Sequence, residues 1–126
     1  QRQMCIRDRS EDYAKEMIKA FGLERLEQRH PQSLSQGQKR RASIAAICAG
    51  KPQILFLDEP TVGQDYENLC RIVHTINRLN KEFDTAVATV THDKRCACAL
   101  ADKVLIMDKG KIVKEGDSSL ANEFLE

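Results

Sequence analysis

Net charge is almost absent from this sequence. Twenty Lys and Arg stand against nineteen Asp and Glu in 126 residues, leaving +1. Binding driven by bulk charge is thereby excluded, and contact with nucleic acid would need a local basic patch. No apolar run approaches the roughly 20 residues of a membrane-spanning helix. The first residues show no signal-peptide pattern, so any membrane association is expected to go through a partner. Six glycines and three prolines are too few for a fibrous or low-complexity chain. The glycines are Gly22, Gly37, Gly50, Gly63, Gly110 and Gly116, and none precedes Lys-Ser or Lys-Thr. The chain therefore holds no G-x-x-x-x-G-K-[ST] loop to cradle a phosphate. The cysteines Cys5, Cys48, Cys70, Cys96 and Cys98 are odd in number, and without a secretion signal they are expected to be reduced thiols. Cys96 and Cys98, with His92 four residues before Cys96, lack the second ligand pair that zinc sites use and read as ordinary thiols.

What is present is a globular composition, 41% apolar and 31% charged, sized for one domain or a piece of one. Residues 1–9, QRQMCIRDR, have no amphipathic period and resemble a translated sequencing adapter, so they are expected to be an artefactual or disordered leader. Ser10-Glu11-Asp12 then open a helix that carries Tyr13, Met17, Ile18 and Phe21 at helical spacing and ends at Gly22. Leu23 to Arg29 reads as a short helical turn before His30-Pro31. Ser35 to Gly50 reads as a helix with Ile44, Ile47 and Cys48 on one face. Ile54 to Leu57 is a continuous apolar run, as expected of a strand buried on both faces in a parallel sheet. Asp65 to Phe83 has the 3.6-residue period in Leu69, Ile72, Val73, Ile76 and Leu79. Thr85 to Thr91 reads as a buried strand, His92 to Ala101 as a helix, Val104 to Met107 and Ile112-Val113 as strands, and Ser118 to Leu125 as a weak helix. The order is that of an α/β protein with a mostly parallel sheet flanked by helices.

Four short motifs carry chemistry. Ser35 and Gly37, at a helix start, offer a hydroxyl, bare N–H groups and the positive helix end, which suit a phosphate; a plain N-cap with a flexible glycine is the simpler reading. Asp58 and Glu59, at the tip of a strand, point to opposite sides. One suits Mg²⁺ while the other polarises an attacking water, although a carboxylate pair can also simply close a loop. Thr61-Val62-Gly63-Gln64-Asp65 is the loop that follows. His92 ends the next strand and lies beside the carboxylates if the two strands are neighbours. Lys39-Arg40-Arg41 reads as a solvated helix face, or as a surface for phosphate or a membrane partner.

In this order the motifs resemble the second half of an ABC-type ATPase domain, which has a P-loop NTPase-like fold. Leu34-Ser35-Gln36-Gly37-Gln38 is similar to the signature motif, with Gln36 where Gly is usual. Ile54 to Glu59 is similar to Walker B. Thr61 to Asp65 is similar to the D-loop, with Gln64 in place of Leu, and His92 is similar to the switch histidine. The resemblance covers Ser10 to about Asp117 and is nearest to the ATPases of energy-coupling factor importers, which take up vitamins and transition-metal ions. It implies that residues 10–34 end a helical subdomain and that 35–126 hold the signature helix and catalytic core. The Walker A half would then be missing, leaving a truncated fragment inactive by itself.

The resemblance further implies a head-to-tail dimer, with ATP lying between the Walker A of one subunit and the signature of the other. Ser35, Gln36, Gly37 and Gln38 would serve the partner's nucleotide, and Asp65 would cross the interface. Asp58 would hold Mg²⁺, Glu59 would act on the water, and His92 would contact the γ-phosphate. The partners implied are a second ABC ATPase subunit and transmembrane transporter subunits, with no nucleic acid, at the cytoplasmic face of the membrane. A non-transport ABC ATPase acting on nucleic acid or in translation, and a catalytically inert fragment, remain the alternatives.

Overall fold

A computed structural model describes residues 2–124, with side chains for 11–123. The first helix, α1 (Arg2–Ala20), starts eight residues before the expected opening at Ser10. The expected leader thus has helical backbone from Arg2, while Gln1 and the side chains of 2–10 lie outside the described residues. Gly22, at φ 62°, ends α1 by taking the left-handed conformation that glycine adopts without strain. Leu23 to Arg29 forms successive turns, closed by Leu26 N–H to Leu23 O and Arg29 N–H to Leu26 O, and not a helix. A 3₁₀ turn at Pro31–Ser33 follows.

The remaining elements are α2 (Gln36–Ala49), β1 (Ile54–Asp58), α3 (Tyr66–Phe83), β2 (Ala86–Val90), α4 (Lys94–Leu100), β3 (Val104–Asp108), β4 (Lys111–Gly116) and α5 (Leu120–Phe124). The α/β order is the one expected, but the strands form two separate sheets. β1 pairs with β2 in parallel, Ile54 opposite Ala86 through Asp58 opposite Val90. β3 and β4 form an antiparallel hairpin turned by Lys109 and Gly110, both at positive φ. His92 lies outside α4, which is capped by Asp93 accepting from Arg95 N–H and Cys96 N–H.

The main core packs α1, α2 and α3 on one face of the β1–β2 pair. Met17, Phe21, Cys48, Leu55, Ile72, Ile76 and Leu79 are buried in it, each large side chain gaining about 1.5–3 kcal/mol by leaving water. The α3 stripe read from the sequence is the buried stripe found. On α2 the expected face is only partly right. Ile44 and Cys48 are buried, but Ile47 is 52% exposed. Burial pushes the Cys48 and Cys96 thiols up to about 11, which keeps them neutral.

β1 also departs from expectation. Leu55 and Leu57 are buried, but Ile54 and Phe56, on the opposite face, are 60% and 77% exposed. Pleating puts Ala86, Ala88 and Val90 of β2 on that same face, and all three are exposed. A contiguous apolar face of this kind favours association. The chain is expected to self-associate through it, and Phe56→Lys to shift sedimentation-velocity profiles toward the monomer. Unchanged profiles would place the contact elsewhere.

Candidate functional site

The parallel pairing of β1 with β2 sets the tips of both strands side by side. Beyond the last paired residues, Glu59 N–H donates to Val90 O at 2.8 Å, extending the ladder by one rung. Glu59 itself adopts φ 47°, a left-handed conformation uncommon outside glycine and unusual before a proline. The surroundings hold it there. His92 N–H donates to Glu59 Oε1 at 3.1 Å, and the Thr91 hydroxyl donates to Oε2 at 3.2 Å. The His92 ring nitrogen Nδ1 lies 2.6 Å from Oε1. An ionised carboxylate only accepts, so Nδ1 carries the hydrogen and Nε2 is left as the free ring nitrogen. The Glu59 side chain is three-quarters buried, whereas that of His92 is 78% exposed. A strained backbone with a carboxylate gripped from three sides is what a preorganised site looks like.

Asp58 is exposed at the same strand tip, and its carbonyl accepts from Arg40 Nη2 at 3.0 Å. Among the described residues no group of three or more His, Cys, Asp or Glu is arranged to hold a metal ion. One exposed carboxylate fits Mg²⁺ only where phosphate oxygens and waters complete its octahedron, which is how Mg²⁺ is bound beside nucleotides.

Ser35 and Gly37 sit at the other part of the site. Ser35 caps α2, its hydroxyl accepting from Gln38 N–H at 3.2 Å while Gln38 Oε1 accepts from Ser35 N–H at 2.9 Å. This is a capping box, so the simpler reading of Ser35 is what its side chain does here, and its hydroxyl hydrogen remains free to turn outward. Gln36 is exposed beside it. Asp65 caps α3, accepting from Asn68 N–H and Asn68 Nδ2. The structure thus brings Glu59 and His92 into contact, places Asp58 next to them, and joins the loop before Asp65 to the start of α2 through Gln64 Nε2 donating to Gly37 O.

Within Lys39-Arg40-Arg41 the reading as a solvated helix face fails at Arg41, and Arg40 has a structural partner as well. Arg40 holds the β1 tip. Arg41 is buried at 7% exposure, donating from Nε to Phe21 O and from Nη1 to Gln64 Oε1; desolvation lowers its pKa, partly offset by Asp65. Thr91 was not singled out from the sequence, and its position one residue before His92 was the only signal it gave.

The chain as a whole is similar to known proteins. A family profile described as ABC transporter matches residues 1–62. The energy-coupling factor transporter ATP-binding protein EcfA of Methanoculleus marisnigri is 41% identical over 80% of this chain and 36% of its own length. The chain belongs to the ABC ATPase family. The corresponding EcfA2 of Lactiplantibacillus plantarum is 44% identical over 82% of this ABC ATPase chain and 35% of its own length. Among solved structures, cbiO1 from Clostridium perfringens, part of the ABC transporter complex cbiONQ, superposes with a TM-score of 0.73. The two are 28% identical, and the match covers 94% of this chain and 47% of cbiO1. A dimeric bacterial ABC transporter cassette superposes with a TM-score of 0.77 at 30% identity, covering 85% and 46% of the two chains. The same cassette has been solved in a dimeric post-hydrolysis state bound to ADP and Pi. The chain spans less than half the length of the curated relatives it matches, 35–41%.

Proposed function

We propose that this chain supplies the signature, Walker B, D-loop and switch histidine of an ATP-hydrolysing ABC subunit that powers an importer of a vitamin or metal ion. The observation that carries the reading is the grip of His92 and Thr91 on Glu59 at the tips of two paired strands, beside an exposed Asp58. Glu59 accepts a proton from, or orients, the attacking water. Asp58 would hold Mg²⁺, which supplies charge neutralisation on the phosphates. His92 Nε2 meets the γ-phosphate while Nδ1 keeps the ring oriented on Glu59. The Ser35 hydroxyl and the first N–H groups of α2 face the nucleotide of a second ABC subunit, and Asp65 lies at that interface. Relatives named as energy-coupling factor transporter ATP-binding proteins support the importer reading and, with it, transmembrane partner subunits. The importer reading puts the subunit at the cytoplasmic face of the membrane, held there through those partners; no described helix is long and apolar enough to cross a membrane.

The phosphate cradle would come from a longer ATPase containing this chain. That enzyme can be obtained by reading the gene upstream, or by joining the upstream half of Lactiplantibacillus plantarum EcfA2 to residues 10–126. Purified with Mg-ATP, it is expected to release phosphate, while the 126-residue chain alone shows no saturable ATP binding by calorimetry. Absence of phosphate release from the longer enzyme would overturn the reading.

A further inference from the structure

Gln64 occupies the D-loop position where the resemblance leads one to expect Leu, and it makes two contacts that an apolar residue cannot. Its Nε2 donates to Gly37 O at 3.2 Å, and its Oε1 accepts from Arg41 Nη1 at 2.7 Å. Arg41 continues the chain of contacts by donating from Nε to Phe21 O at 2.9 Å, at the end of α1. The loop and helix are also close in backbone terms. A Cβ on Gly37 would lie 3.1 Å from Gly63 O and 3.3 Å from Gln64 Nε2, tighter than nine in ten real Cβ contacts, so a larger residue there would push the loop and the helix start apart by a few tenths of an ångström. Arg41 is buried and the Gln64 amide partly so, with both its amide atoms paired, so the link is shielded from competing water.

We infer that Gln64 is a positioning residue that locks the loop bearing Asp65 to the helix start bearing Ser35 and Gly37, so that these groups meet the second subunit's nucleotide as one rigid unit. The inference rests on the ATPase reading above and adds a residue to it. Both Gln64 amide atoms are taken up by protein partners, so it acts through Gly37 and through the loop. Neither Asp65 nor Ser35 binds the other directly, and each is fixed by the local cap it makes. The side chain between them sets their relative position.

Two substitutions in the longer ATPase test this. Gln64→Ala removes both contacts. Gln64→Glu keeps an acceptor for Arg41 but sets a carboxylate against the Gly37 carbonyl. Both are expected to lower kcat at least about tenfold with KM for Mg-ATP little changed, because misplacement of a catalytic group acts on turnover. In the 126-residue chain, both should speed amide exchange at the start of α2 and in residues 62–65 together, with α3 exchange unchanged. If Gln64→Glu retains full kcat, pairing with Arg41 alone suffices and the lock to Gly37 is overturned. Faster exchange confined to the loop would overturn it as well. An active enzyme insensitive to both substitutions overturns the role of Gln64 alone. An inactive unmutated enzyme overturns the ATPase reading and the positioning role together.

Discussion

Glu59→Gln in the longer ATPase is expected to cut turnover by at least about a hundredfold while ATP binding persists. Gln keeps the shape of Glu: its amide oxygen in the place of Oε1 still accepts from His92 N–H, while its NH2 group in the place of Oε2 donates to the Thr91 hydroxyl instead of accepting from it. The substitution therefore spares the backbone of the strand tip. What it removes is the negative charge beside the attacking water, and with it the strong ring contact from His92 Nδ1. Charge-assisted hydrogen bonds are roughly twice as strong as neutral ones, so the His92 ring also loosens. Single-turnover phosphate release, together with equilibrium nucleotide binding, separates the two effects. Turnover like that of the unmutated enzyme would remove Glu59 from the chemistry.

The second large effect is expected at the start of α2. Ser35→Arg should abolish turnover yet leave nucleotide binding by an isolated subunit intact, because Ser35 serves the nucleotide of the other subunit. Some of the loss is local. Ser35 accepts from Gln38 N–H, and loss of an N-cap costs about 1 kcal/mol. Ser35→Asn retains the cap and serves as the control for folding. The decisive measurement is a heterodimer of one Ser35→Arg subunit with one subunit disabled in its phosphate loop. If Ser35 acts across the interface, both defects fall on one nucleotide site and the other is intact, so phosphate release returns. If Ser35 acts within its own subunit, each site carries one defect and the heterodimer stays silent. Silence would overturn the assignment.

Local chemistry explains which parts of this protein could be read in one dimension. The stripe Leu69, Ile72, Val73, Ile76 and Leu79 became the buried side of α3 because helical period alone decides which residues share a face. Ser35 became the cap expected of it because short polar side chains bind the free N–H groups within their own turn, and Asp65, read from the sequence only as the start of a helical stretch, caps α3 for the same reason. The order of the motifs from Ser35 to His92 was likewise sufficient to place the chain in its family. Burial of β1 was not legible. Ile54 to Leu57 is apolar throughout, and only the layers laid against a strand decide whether one face or both lose water.

The site divides the same way. The sequence by itself determined that Asp58, Glu59 and His92 stand at strand ends, since the apolar runs stop there. Tertiary structure alone decided that Glu59 and His92 touch, because 33 residues separate them and only the parallel register of β1 on β2 aligns the two tips. It also decided the fate of the basic cluster. Arg40 and Arg41 look like surface charge in one dimension, yet they hold the β1 tip and the Gln64 loop. A guanidinium goes inside where fixed carbonyl and amide oxygens replace its water. Where those oxygens lie is settled by the packing of α2 against the end of α1 and the loop after β1, and no local pattern encodes it.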